Sequence, residues 1–208
     1  MPLSFDGAGT ITGLQVGGLP DGTVDQDTLA ANSVNNAKLA TGTPNAAALP
    51  SGTILQVVQT AKTDLFSESI GTGAVSATVM SASITPASTS NKILVMFNGV
   101  ASHGNTANTY VILYEGGSLV SGAVGDAAGN RQRISSGNGQ HANSVPTSQS
   151  FTYLHSPGVT TELTYQIRLA HASGETRTVY LNYNANGDGD QVYVGRAASF
   201  LTLMEIAG

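Results

Sequence analysis

Cysteine is absent from the chain, which excludes disulfide staples, thiolate catalysis and cysteine-based metal sites. Charge is scarce as well. Only 10% of the 208 residues are Asp, Glu, Lys or Arg, against about 25% in a typical globular domain. The basic residues, Lys38, Lys62, Lys92, Arg131, Arg133, Arg168, Arg177 and Arg196, are scattered, and only Arg131 and Arg133 sit close together. With a net charge of −5 and no basic stripe to neutralise a run of phosphates, no nucleic-acid partner is expected. Nowhere do eighteen apolar residues occur together, so no membrane insertion is expected. The N-terminal "MPLSFDGAGTITG" has neither the basic start nor the apolar run of a secretory signal. Work outside a cell would then follow another route, such as release by lysis. Helical i, i+3, i+4 stripes of useful length are also missing.

What fills the space is Gly (25 residues), Ser, Thr, Asn and Ala, with an ordinary 40% apolar content. Two regions use these residues differently. Residues 1–50 contain one aromatic, Phe5, and set Asp6, Asp21, Asp25 and Asp27 against Lys38 alone. The stretch "TGTPNAAALPSG" (41–52) reads as the joint. From Thr53 onward the apolar period is two. "TILQVVQ" (53–59), "NKILVMFNGVAS" (91–102), "NTYVILYEGG" (108–117), "QSFTYLHS" (149–156), "ELTYQIRLAHAS" (162–173), "TRTVYLNYN" (176–184) and "ASFLTLMEIA" (198–207) read as strands bounded by turn residues. "ATVMSASITP" (77–86) adds an eighth and "NRQRISSG" (130–137) a short edge strand. This pattern predicts an all-β antiparallel sandwich with jelly-roll topology over residues 51–208.

The last strand is apolar on both faces, with Phe200, Met204 and Ile206 on one and Leu201 and Leu203 on the other. A half-exposed strand would alternate cleanly, so a second cover is expected. Either another subunit or a long loop supplies it.

In the first region, "DGTVDQDTLA" and "ANSVNNAKLA" (21–40) are two nearly superposable decapeptides, with "DTLAANS" and "NAKLATG" the only short helical candidates. Each copy carries two sizeable apolar residues, Val24 and Leu29, then Val34 and Leu39. Ordering a chain costs about 1–2 kcal/mol of backbone entropy per residue, more than so thin a unit can offset alone. It either stays a polar tail or orders by packing against identical chains.

The opening forty residues, with "ILQVVQTAKTDLFS", "SITPASTSNKILVMFNG" and the terminal "LTLMEIAG", resemble tail-fibre and appendage proteins of marine and cyanobacterial bacteriophages. The resemblance implies a homotrimer located in the virion. Residues 1–50 would be an attachment or shaft segment bound to other virion proteins, tail or capsid. Residues 51–208 would be a head similar to the trimeric jelly rolls of the tumour-necrosis-factor and C1q type. It also implies that Val24, Leu29, Val34 and Leu39 line a threefold axis and that Phe200, Leu201, Leu203, Met204 and Ile206 form an interface strand. A host-surface glycan is the implied ligand. A capsid head fibre or decoration protein is the rival reading, and a glycan-depolymerising spike a more distant one.

Signs of chemistry are few. "NANGDGD" (184–190) begins a calcium-loop pattern, but its twelfth position is Gly195, and Asn-Gly and Asp-Gly also make hairpin turns. His103, His141, His155 and His171 have no metal-ligand spacing. The carboxylates Asp64, Glu68, Glu115, Asp126, Glu162, Glu175, Asp188, Asp190 and Glu205 form no legible pair. No nucleophile elbow or phosphate loop is present. The expectation is a non-catalytic protein without cofactor or resident metal. The polar loops 104–110, 136–150 and 184–190 are the expected binding surface, with Asn105, Asn138, His141, Asn186 and Asp188 as candidate receptor-facing residues.

Overall fold

Alternating apolar residues make half-buried strands because successive side chains leave a strand on opposite faces, and this rule accounts for most of the chain. The computed structural model describes residues 4–5, 11–12, 49–104, 107–138, 146–183 and 195–208. Its contacts divide the chain into Met1–Asn45 and Ala46–Gly208. In the first unit, β1 (Ser4–Phe5) and β2 (Ile11–Thr12) pair antiparallel, Ser4 opposite Thr12 and Phe5 opposite Ile11. The decapeptides, with Val24, Leu29, Val34 and Leu39 and both helical candidates, lie outside the described residues, as do Asn105, His141, Asn186 and Asp188.

The second unit contains β3 (Ile54–Lys62), β4 (Phe66–Ile70), β5 (Met80–Ile84), β6 (Lys92–His103), β7 (Thr109–Glu115) and β8 (Ser118–Leu119). It continues with β9 (Ser136–Gly137), β10 (Thr147–His155), β11 (Leu163–His171), β12 (Arg177–Leu181) and β13 (Ser199–Ile206). A 3-10 turn at Ser121–Ala123 is the only helical element among the described residues. Two antiparallel sheets result. One holds β3, β13, β6, β12 and β4 in that order, with β10 on the other edge of β6; the other holds β5, β11, β7 and β8, with β9 also on β7. The principal strands thus run β3-β13-β6-β10 in the larger sheet and β5-β11-β7-β9 in the smaller. Taken in chain order these strands switch sheets at every step except β7 to β9, as in a jelly roll, the predicted fold.

Between the sheets lies one apolar core. Ile93, Val95, Phe97, Leu201 and Leu203 face it from the larger sheet, and Val111, Leu113, Tyr165, Ile167 and Leu169 from the smaller, all fully buried. Phe97 and its cross-strand neighbour Phe151 stack at 5.8 Å between ring centres.

Two expectations shift. Of the predicted strand 130–137, only Ser136–Gly137 pairs. The Arg133 guanidinium explains the rest: it donates to Gly125 O at 2.6 Å and Ser121 O at 2.9 Å, tying the segment back as a loop. Conversely, β4 carries only two apolar residues in "FSESI" and shows little pattern of its own. It is a strand because β12 supplies its hydrogen-bonding partner.

Candidate interaction surfaces

The outer faces of the two sheets differ in kind. On the smaller sheet, the outward residues include Ser81, Ser83, Thr164, Gln166, Arg168 and Tyr114, with Ile112, opposite Arg168 on the same face, buried. Ser83 and Thr164 share a hydrogen bond of 2.8 Å, and the Arg168 guanidinium lies 4.4 Å from the Tyr114 ring centre. The exposed part of that face suits water.

On the larger sheet the registers bring apolar residues into line. Met204 of β13 sits opposite Val57 of β3 on one side and Leu94 of β6 on the other, and Leu94 in turn faces Leu154 of β10. Val57, Met204, Leu94 and Leu154 therefore make one row across four strands, about 14 Å wide at a strand spacing of roughly 4.8 Å. Ile206 beside Ile54 extends the patch toward the end where residues 49–53 join the sandwich, and Met96 and Phe200 extend it the other way. Val57 is 56% exposed, Ile54 53%, Leu154 45% and Phe200 39%. Scattered exposed apolar residues are normal, but a contiguous patch marks a contact surface. Among the predicted interface residues, Leu201 and Leu203 are fully buried in the core, while Phe200, Met204 and Ile206 lie on this outer face.

Sequence reading missed Ile54, Val57, Leu94, Met96 and Leu154. The uninterrupted run Ile93-Leu94-Val95-Met96-Phe97 in β6 was the available signal, since it is apolar at both parities just as β13 is.

Beneath the patch, the last strand is clamped by polar groups. Glu205 points inward, 1% exposed. Its carboxylate accepts hydrogen bonds from Gln56 Nε2 (2.6 Å), Asn91 Nδ2 (2.5 Å) and the Ala87 backbone N–H (2.6 Å). Other carboxylates are engaged too: Asp64 with Lys62 at 2.8 Å, Glu175 with Arg177 at 2.6 Å, and Glu68 with the Ala77 N–H at 2.8 Å. No group of three or more His, Asp or Glu side chains able to hold a metal occurs among the described residues. No helix there is long and apolar enough to cross a membrane.

The end of the sandwich away from residues 49–53 carries a cavity of about 440 Å³. Thr72, Tyr110, Asn130, Arg131, Gln132 and His171 line it, brought from the loop after β4, the start of β7, the loop before β9 and the end of β11. His171 is fully buried and held at both ring nitrogens, Nε2 by Ile70 O at 2.9 Å and Nδ1 by Ser173 Oγ at 3.2 Å. The Tyr110 ring packs on Gly137, where any Cβ would fall 2.7 Å from its Cδ1 atom. Of the candidate loop residues, Asn138 adjoins this region. Its Oδ1 accepts from the Thr109 N–H at 2.7 Å and its Nδ2 donates to Thr147 Oγ1 at 2.6 Å, so its side chain braces the loop. His103 is buried, and His155 shares a 2.7 Å hydrogen bond with the Tyr165 hydroxyl at the opposite end of the smaller sheet. Burial holds the His155 pKa below its ordinary value, with Glu115 pulling the other way.

A jelly-roll sandwich with one polar outer face and one apolar outer face is the class of protein these observations define. No family model matches the chain, and no curated protein is similar to it. Among solved structures it is similar to a chain in the structure of infectious bursal disease virus Gx strain, with 10% identity over 75% of this chain and 42% of that one, at a TM-score of 0.37. A second match is infectious bursal disease virus VP2 subviral particle, with 12% identity, 73% and 41% coverage and a TM-score of 0.35. A third is the T=1 particle derived from infectious bursal virus, with 15% identity, 73% and 36% coverage and a TM-score of 0.36. This chain therefore spans about two-fifths of the length of the viral chains it matches.

Proposed function

We propose that this chain is a structural protein of a bacteriophage virion, a homotrimeric fibre whose N-terminal segment attaches to the particle. Its jelly-roll head adheres to a host-surface glycan without catalysis. The observation that carries the reading is the apolar row Val57, Met204, Leu94 and Leu154 on the larger sheet, set against a smaller sheet whose outer face is polar. A second copy of the same chain is the occupant that fits, because a self-assembling fibre head presents the same face in every copy. Burying a Val- or Leu-sized side chain completely is worth about 1.5–3 kcal/mol. These residues are already half covered, so each gains roughly half of that on assembly. The resemblance of its segment order to phage appendage proteins supports the virion setting. The burial of Glu205 under three donors takes that carboxylate out of any hydrolytic role.

Light scattering on the full chain tests the assembly. The expected mass is three times that of the 21.1 kDa chain. The double variant Val57→Lys with Leu154→Lys should run as a monomer with an unchanged far-ultraviolet spectrum, since both residues lie on edge strands and point to solvent. A monomeric wild-type chain at micromolar concentration would end the trimer reading. Cryo-electron microscopy of the intact particle then separates tail from capsid attachment by what residues 1–20 touch.

A further inference from the structure

We infer that the cavity at the loop end is a binding site for an acidic saccharide, with the Arg131 guanidinium receiving a sugar-ring carboxylate. This deepens the adhesion reading above and rests on it. Arg131 is the single cation lining the cavity, and no acidic residue lines it. Among the described residues its guanidinium has no hydrogen-bonding or ionic partner, whereas the neighbouring Arg133 donates to two backbone carbonyls. The Arg131 side chain is exposed at the cavity and free to pair with an anion.

The remaining lining fits a sugar ring. Asn130, Gln132 and Thr72 offer donors and acceptors for hydroxyl groups, and Tyr110 offers an aromatic surface for an apolar ring face. The Tyr110 hydroxyl accepts from Asn108 Nδ2 at 3.0 Å, which leaves its own proton free to donate into the cavity. Gly137 beneath the ring and the doubly bonded imidazole of His171 hold this wall in place before any ligand arrives. Preorganisation of that kind lowers the cost of binding. A volume of about 440 Å³ suits one or two sugar residues. The charge points to carboxylate over phosphate. One planar guanidinium pairs with one carboxylate through two parallel hydrogen bonds, while a doubly charged phosphate would call for a second cation that the cavity does not have.

The test is a glycan array probed with the fluorescently labelled full chain. It carries neutral glycans, glucuronic- and galacturonic-acid hexasaccharides, and the same hexasaccharides with their carboxyl groups reduced to hydroxymethyl. The expected result is binding to at least one uronic hexasaccharide, at least tenfold stronger than to its reduced form. Arg131→Ala should erase that tenfold preference without lowering the melting temperature, since the side chain is exposed and unbonded; Arg131→Lys should restore part of it. Binding confined to neutral glycans, or binding that Arg131→Ala leaves unchanged, overturns the acidic-sugar site and leaves adhesion standing. Absence of binding to every glycan overturns both.

Discussion

At the scale of single residues, the fold depends on a few buried polar groups whose partners come from distant segments. Glu205 is the clearest, because its carboxylate is met by three donors and by no other acceptor. Glu205→Gln would place an NH₂ group opposite one of those donors. A buried donor left without an acceptor costs about 1–3 kcal/mol, so urea denaturation should show a loss of that size. Asn182 performs a similar task at φ 61°, a backbone conformation asparagine tolerates. Its Nδ2 donates to Lys62 O at 2.8 Å and its Oδ1 accepts from Ser199 Oγ at 2.7 Å, which binds the bend after β3 to the start of β13. Gly99 lies where a Cβ would overlap both Ser199 Oγ and the Phe97 ring. Gly99→Ala should therefore destabilise by about 1–3 kcal/mol through overpacking, read in the same denaturation assay.

His155 gives a pH prediction. Its folded-state pKa is depressed, chiefly by burial, so the unfolded chain binds its proton more readily than the folded one. The stability it contributes is complete above the ordinary histidine value of about 6.5 and is lost as pH falls through that value toward the depressed one. The facing groups are Tyr165, which donates or accepts at 2.7 Å, Tyr153 at 6.0 Å between ring centres, and Glu115. Between pH 7 and 5 the wild-type denaturation midpoint should drop further than that of His155→Gln. Equal drops would remove His155 from the account.

At the scale of elements, β13 separates two roles that alternate along one strand. Leu203 faces the core and is fully buried, while its neighbour Met204 faces outward in the apolar row. Leu203→Ala should cost about 2–5 kcal/mol of folding stability, the range for cavity-forming core truncations. Met204→Ala should change monomer stability much less and instead raise the concentration at which copies associate. Measuring denaturation and sedimentation on both variants separates the two roles. Comparable folding losses with unchanged association would contradict the outer-face assignment. The same logic covers β6, where Ile93, Val95 and Phe97 are buried between the sheets and Leu94 and Met96 lie outside.

At the scale of the molecule, the sandwich has two directions built into it. Across its thickness, the outer faces run from polar on the smaller sheet to apolar on the larger. Along its length, the end near residues 49–53 is sealed by backbone hydrogen bonds, Gly52 N to Ala207 O and Ala207 N to Thr53 O, both 2.8 Å. The other end carries the cavity lined by Arg131 and Tyr110. Since Ala46–Gly208 contains every core residue among the described residues, a fragment spanning 46–208 should fold with the melting profile that the head shows in the full chain. Loss of cooperative melting in the fragment would mean that the first unit contributes to folding of the second.

What the sequence determined by itself is the local pattern: where most of the long strands lie, that the class is all-β, and that the last strand carries apolar residues at both parities. These follow from the two-residue period of side-chain direction, which needs no knowledge of neighbours. "FSESI" was illegible because too few of its residues are apolar to show a period. The tertiary structure alone decided which outward residues meet. Val57, Met204, Leu94 and Leu154 form a row only through the registers of three separate strand pairs, and a slip of one residue in any of them would turn that strand's apolar set to the other face. The cavity depends on closure still more. Thr72, Tyr110, Arg131 and His171 are far apart in the chain and share no local spacing; they converge because the jelly-roll crossings bring four loop-end segments to one end of the sandwich.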